Sequence, residues 1–491
     1  MFSTACKQEE DARCASHHFF ERYFILVFHY HLPLFISCGK GTAMKSMRHA
    51  FDGCKDLSRL VRDMVRSNRE SASVGIFSIC SANRFVLEAG MKQAGADDTV
   101  LCIESTSNQV NQFGGYMGMK PAEFARFVDS VASGMGFPRE RIILGGDHLG
   151  PHVWQNEPAR MAMSKARDLV RECVLAGYTK IHLDASMRCA DDPGDNRIPP
   201  SDEVMAERVV DLCRIAEAAH EELPAGSAPP LYVIGTEVPP PGGERQQAAG
   251  PAVTSIEDAK RTLTLAHGAF LSRGLQSAWS RVIAMVVQPG VDFGDSRIWE
   301  YDREKASHLS SCIEKYCDLV FEAHSTDYQP RRALKQMVED HFAILKVGPW
   351  LTFAFREAVF ALAEMEQEWL SDRKGVSLSR VREALEQAML ENPAHWEKYY
   401  HGDQADLRFA RQYSYSDRSR YYWTRPEPRK ALQILVGNLS ERPVPLTLLS
   451  QYMPVQYQAV RERRIRNTPG DLIHDKILEV LDIYASACGM R

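Results

Sequence analysis

Several absences narrow the reading of this 491-residue chain. Charge of neither sign dominates: 59 Lys and Arg stand against 64 Asp and Glu, a net charge of −5. That gives no electrostatic reason to expect nucleic-acid binding. The twelve cysteines contain no C-x-x-C pair and no regular framework, which excludes a disulfide scaffold. Cys80, Cys102 and Cys173 sit inside apolar runs, where a thiol serves as a small core residue. The expectation is a reducing, cytoplasmic location. No G-x-x-x-x-G-K-[ST] segment or kinase signature set occurs, which argues against phosphoryl transfer from a nucleotide. Internal repeats and low-complexity tracts are also missing.

What is present is an alternation. Eight short apolar runs each end in polar, chemistry-capable residues: 74–82, 99–109, 141–151, 180–186, 231–239, 281–290, 319–327 and 342–350. Continuous β-branched runs are what strands buried on both faces require. Between them, residues 84–95, 120–136, 157–176, 202–222, 255–275, 303–315, 330–340 and 353–370 carry helical spacing or helix-forming composition. Pro121 and Pro158 head two of these, Ser201 opens another, and Thr254 with Glu257 reads as a capping box. Eight strand–helix units over roughly 280 residues describe a (β/α)8 TIM barrel rather than an open doubly wound sheet. The barrel is expected over residues 44–370, followed by a helical C-terminal extension over 371–491. That extension contains an aromatic and charged stretch, YSYSDRSRYYW at 413–423. Tyr/Arg stretches of this kind bind phosphate or nucleic acid, or serve as packing surfaces for protein contacts; an acidic chain favours packing.

Residues 1–43 differ from the rest. FFERYFILVFHYHLPLFISC (19–38) is apolar, but Glu21, Arg22, two histidines and Pro33 interrupt it, so a spanning helix would be poor. The expectation is an over-long translated start, disordered or loosely packed, with Met44 as the natural beginning and no membrane association.

In a barrel of this type the strand C-terminal ends build the active site. There stand Asp147 and His148 (strand 3), His182 and Asp184 (strand 4), Glu237 (strand 5), Gln288 (strand 6), Glu322, His324 and Asp327 (strand 7) and Lys346 (strand 8). Histidines and carboxylates on neighbouring strands are the raw material of a divalent-metal site, and a nearby carboxylate can then move a proton. Duller readings stand beside these. His148 is equally a satisfied core histidine, and Asp147 a turn cap. His182 and Asp184 share one strand face, of which Asp184 is the stronger functional candidate. Glu104, Asn108, Gln109 and Gln112 are either sugar-hydroxyl ligands or a network that ties down a loop. Lys346 is a Schiff-base lysine, a phosphate ligand or the partner of Glu322.

At these residues the chain becomes recognisable. IESTSNQVNQFGGYMGM (103–119), ILGGDHLGPHVWQ (143–155), KIHLDASMRCADDP (180–193), VIGTEVPPPGGE (233–244), FEAHSTDYQ (321–329) and HFAILKVGP (341–349) closely resemble the non-catalytic subunit family of class II D-tagatose-1,6-bisphosphate aldolase (GatZ/KbaZ-like), from about residue 50 to about 488. The resemblance implies a stabilising partner of a separate zinc-dependent aldolase subunit, in galactitol, tagatose or amino-sugar catabolism. It also implies a site for a sugar or sugar phosphate. Some members of the family carry a kinase label, which the missing motifs do not support. Active class II aldolases have an Asp followed by His at strand 3, matched here by Asp147-His148, and a later histidine, for which His324 is the counterpart. Their remaining histidine would fall near strand 6, where this chain has Gln288.

The expected assignment is therefore Asp147, Asp184 and Glu237 as acid–base groups. His148, His324, Glu237 and Gln288 are the expected ligands of a divalent metal, zinc by preference. Glu104, Asn108, Gln109, Ser325 and Lys346 are expected at the substrate. The expected role is that of the non-catalytic, stabilising subunit; the alternative is a stand-alone metal-dependent aldolase or epimerase of a ketohexose or its phosphate.

Overall fold

The computed structural model describes residues 56–70, 72–194, 199–235 and 250–491. Residues 1–43 and Glu237 lie outside the described residues.

The eight expected runs form eight strands: β1 (Ile76–Ile79), β2 (Leu101–Thr106), β3 (Ile142–Leu149), β4 (Lys180–Leu183), β5 (Leu231–Ile234), β6 (Val282–Val287), β7 (Val320–Ala323) and β8 (Ile344–Val347). Each is parallel to its neighbours, and β8 pairs with β1 (Ile76 opposite Ile344), so the sheet closes in chain order. Every strand residue is buried, the reason the strands read as unbroken apolar runs rather than alternations. The fold is a (β/α)8 barrel. No described helix is long and apolar enough to cross a membrane.

Most of the helix-start signals stand at the head of a helix. Pro121 is the first residue of helix Pro121–Met135, and Ser201 caps Asp202–Glu221 by accepting from the Val204 amide. The cap of Ile256–Ser272 is Ser255, not Thr254. Thr254 instead receives the Gln288 amide on its hydroxyl at 2.8 Å, tying the start of that helix to the end of β6. The helix after β8 begins at Pro349, four residues before the apolar spacing indicated.

The extension is mainly helical, as expected. Its last helix, Pro469–Ala487, packs against helices Arg84–Ala96, Arg331–Glu339 and Pro349–Leu370 and touches β1. It thus fills the place in the outer ring between the helices that follow β1 and β7, and Pro349–Leu370 lies outside it. Tyr484 on this helix is fully buried, with its hydroxyl donating to the Thr326 carbonyl at 2.8 Å.

The Tyr/Arg stretch is not a surface. Tyr422 is 0 % exposed and Arg418 3 %. The Tyr422 hydroxyl donates to the Asn392 carbonyl, and the Tyr328 hydroxyl donates to the Tyr415 carbonyl at 2.6 Å. The packing these residues serve is intramolecular. It seats the extension over the barrel, so the packing expected of this stretch is made within the chain and not on a free face.

Candidate functional site at the barrel mouth

Polar residues recur at every second position inside strands that are otherwise apolar: Lys180, His182 and Asp184 on β4 and just beyond it, Glu322 and His324 on and after β7. Period two puts each set on one face of its strand, and that face is the barrel interior. β3 makes room for them. Glu104 on β2 lies beside Gly145 on β3, and Gly145 lies beside Lys180 on β4. A Cβ on Gly145 would stand 2.7 Å from the Glu104 Cγ. The missing side chain lets Lys180 reach across β3 to Glu104. Beyond it, the β3–β4 register shifts between Gly146 and Leu149, and His148 takes a positive φ of 51°. A bulge with a strained non-glycine residue is a device for re-aiming side chains at a functional site. Ser325, after β7, has a φ of 52°.

The result is a buried charge network. The Lys180 ammonium lies 2.8 Å from Glu104 and 2.6 Å from Glu322. Lys346 pairs with Glu104, with Asp147 at 2.9 Å, and with Glu322 at 3.8 Å. His182 Nδ1 is 3.0 Å from Asp147, and His324 Nε2 is 3.1 Å from Glu322. His148 Nδ1 is 2.8 Å from Asp184, whose other oxygen accepts from the Ser186 amide and hydroxyl. The rings of His148, His182 and His324 stand 5.0 to 5.3 Å apart. One donor atom from each of Asp147, His182, Glu322 and His324 falls within 4.8 Å of the others.

Burial and charge oppose each other here. Burial would raise the carboxyls, yet Lys180 and Lys346 hold Glu104 below and Glu322 well below the ordinary carboxylate range. His148 and Lys346 do the same for Asp147. Burial would neutralise His148, but Asp147 and Asp184 raise its proton affinity. His324 is pushed down to about 4, chiefly by burial, so it keeps a free lone pair at neutral pH. Glu104, Asp147, Asp184 and Glu322 face two lysines, which leaves two negative charges. A proton on His148 answers one of them. A divalent cation among Asp147, His182, Glu322 and His324 would answer both. His182 Nε2 is buried with no hydrogen-bond partner, the mark of a position that awaits a ligand. The residues present therefore suit a divalent metal.

This set differs from the expected one. The structure brings His324 into the four-residue group and sets His148 beside it on Asp184. Gln288 is not brought in: its side-chain oxygen accepts from the Gly290 and Val291 amides at 2.8 and 3.0 Å and shapes the loop after β6. Asp184 lies behind His148 and orients it. His182, Glu322 and Lys180 were under-read in the sequence, although their alternation with Asp184 and His324 was the signal.

A cavity of about 80 Å³ lies over the cluster, lined by Asp147, His148, His324, Ser325 and Lys346 and by Asn108 and Gln109. The loop-network reading of the last two holds in part. Gln109 accepts from the Thr106 amide at 3.0 Å and donates to the Cys80 carbonyl at 3.3 Å, while Asn108 accepts from the Thr106 hydroxyl. The cavity's far wall is Tyr116 together with Arg420 and Tyr421 of the extension. Arg420 donates to the Ser416 and Asp417 carbonyls and to the Tyr421 hydroxyl.

The sequence profile of the D-tagatose-1,6-bisphosphate aldolase subunit GatZ/KbaZ-like family matches residues 61–489. The chain belongs to this family. A probable tagatose 6 phosphate kinase from Sinorhizobium meliloti 1021 is 42% identical in sequence, over 84% of this chain and 100% of that one, with a TM-score of 0.76. Lower similarity extends to the fructuronate-tagaturonate epimerase UxaE of Cohnella laeviribosi, at 11% identity over 85% of this chain and 81% of that one, with a TM-score of 0.42. The fructose-bisphosphate aldolase of Campylobacter jejuni stands at 13% identity over 78% of this chain and 92% of that one, with a TM-score of 0.38. The family gives the chain a role related to tagatose-bisphosphate aldolase.

Proposed function

We propose that the barrel mouth is a working site for a ketohexose phosphate, and that the chain is a metal-dependent aldolase or epimerase. The observation that carries this reading is the cluster of Asp147, His182, Glu322 and His324 beneath a cavity at the strand ends, in a network with more carboxylates than lysines. His182, Glu322 and His324 would hold the cation, zinc being favoured by an imidazole–carboxylate donor set. Held there, such a cation would supply Lewis-acid polarisation of a substrate carbonyl. Asp147, ionised and beside Lys346, is the group that takes and returns a proton. His148, held by Asp184, donates to the substrate oxygen. Asn108, Gln109 and Ser325 meet sugar hydroxyls from the cavity wall. Glu237, which follows β5 in the sequence, is kept as a second acid–base group.

The test is metal analysis of the purified full chain, followed by cleavage or epimerisation assays on ketohexose phosphates. About one equivalent of metal is expected, on the basis of a three- or four-ligand site, and His182→Ala should lose it. Asp147→Asn should lower turnover by about 10²- to 10⁴-fold. Absence of metal and turnover in the native chain, or full activity in Asp147→Asn, overturns the reading.

A second reading follows from the family description as a subunit and from the missing strand-6 histidine. On it, the chain stabilises a catalytic class II tagatose-bisphosphate aldolase subunit in the cytoplasm, within galactitol, tagatose or amino-sugar catabolism. Binding the folded partner would slow that partner's heat inactivation by mass action, and the protection would survive Asp147→Asn. An unchanged inactivation rate removes this alternative.

A further inference from the structure

Beside the cavity over the cluster lies a second one of about 590 Å³. Its wall carries Arg418, Arg425, His152, His395, Asn108 and Tyr421, and no carboxylate among the described residues. Arg418 is 3 % exposed. Its guanidinium covers the face of Tyr399 and donates from Nη1 to the His395 carbonyl at 3.1 Å. Its Nε has no hydrogen-bond partner, and neither has His152 Nδ1. Asp295 acts on Arg418 only at longer range and is itself held by Ser414 and Ser416. A buried cation without a nearby anion is costly, and here the buried Arg418 and the exposed Arg425 line one space. The sequence RSRYYWTR (418–425) supplies both arginines.

We propose that this cavity is an oxyanion subsite that takes the phosphate group of the sugar substrate. The inference rests on the proposed function, in which the carbonyl end of that substrate lies at the Asp147–His324 cluster. The two cavities share Asn108, Tyr116 and Tyr421. Their common wall is therefore aromatic edge and amide, with the Tyr116 and Tyr421 rings 4.6 Å apart. Donors on guanidinium, imidazole and amide groups approach from several sides. That suits a tetrahedral dianion, whereas a planar carboxylate is satisfied by one guanidinium fork. The arginines come from the extension, so the extension would set specificity for phosphorylated over free sugars.

The experiment is binding of inorganic phosphate to the full chain, followed by thermal shift and calorimetry, with sodium chloride as the ionic-strength control. Phosphate should raise the melting temperature where chloride and acetate do not. Arg425→Gln, a change at an exposed position, should weaken phosphate binding by about tenfold, as loss of one charged contact does. Arg418→Gln should abolish binding. Arg418 is buried and its replacement threatens folding, so the Arg425 result stands as the deciding one. The binding needs neither metal nor turnover, so it is measured again after chelation. Binding that persists while the metal site or activity fails would sink the proposed function and leave the subsite standing. No phosphate effect in the native chain, equal stabilisation by acetate, or undiminished binding in a folded Arg425→Gln overturns the subsite.

Discussion

Replacing Lys180 with Met tests the charge network most directly. The methionine keeps most of the apolar stem and removes the ammonium that lies 2.8 Å from Glu104 and 2.6 Å from Glu322. All three side chains are at most 4 % exposed. Lys346 is then left alone with Glu104, Asp147 and Glu322. Stripping one partner from a buried ion pair costs about 3–5 kcal/mol, against a total stability of roughly 5–15 kcal/mol for a folded domain. The pH dependence distinguishes this cause from lost packing. In the native chain both glutamates are depressed, so their contribution is present above the unfolded carboxyl pKa and is lost only as pH falls through the lower folded value. In the variant at least one carboxyl is raised instead. Its protonated form is then stabilised at low pH, and that contribution is lost as pH rises. The deficit of the variant should be largest near pH 8 and shrink towards pH 5. Chemical denaturation followed by circular dichroism at the two pH values measures it. A deficit below about 1 kcal/mol at pH 8, within the range of an exposed pair, or one equal at both pH values, would refute the network as described.

Asp327 gives a prediction of opposite sign. Its buried carboxylate accepts from the Gly348 and Trp350 amides at 3.0 and 2.9 Å, and burial pushes it up to about 6. A raised carboxyl stabilises the fold below the unfolded value and loses that contribution as pH climbs to about 6, so Asp327→Asn should be more stable than the native chain by about 3 kcal/mol at pH 8, at 1.36 kcal/mol per pKa unit. Equal melting temperatures at pH 8 would contradict it. Gly150→Ala should destabilise strongly, because its Cβ would lie 1.6 Å from the Asp184 carbonyl oxygen. Loss of soluble protein or a melting temperature lowered by many degrees is the expected result, and a native melting curve would contradict the close approach of the two strand ends.

The strands were legible because two-sided burial leaves a continuous apolar signature. The alternation of Lys180, His182 and Asp184 inside one of them was legible too. The strand exits are where a barrel's functional groups are expected, and the interior holds charge deeper than a packed apolar core would suggest. Gln288 shows the converse: a strand-end position says where a side chain starts, not which backbone amides it will satisfy. The Tyr/Arg stretch misled because both residues have apolar bodies with polar tips. Composition cannot tell whether the bodies are covered by another subunit or, as with Tyr422 and Arg418, by the same chain. The place of Pro469–Ala487 in the ring was beyond sequence pattern, since helical spacing reveals an apolar face but not its partner.

A ring whose missing member is the last helix of the chain has a consequence for synthesis. When Val347 leaves the ribosome all eight strands exist, yet the flank of β1 that Tyr484 will cover is bare until about 140 further residues have been made. At about 5–20 residues per second that is roughly 7–30 s during which the sheet can close while its apolar seam stays open to water and to other nascent chains. Synthesis of Pro469–Ala487, not completion of the eighth strand, marks the moment the molecule can be sealed. Premature stop codons anywhere in the extension should therefore yield aggregation-prone barrels rather than shortened functional ones.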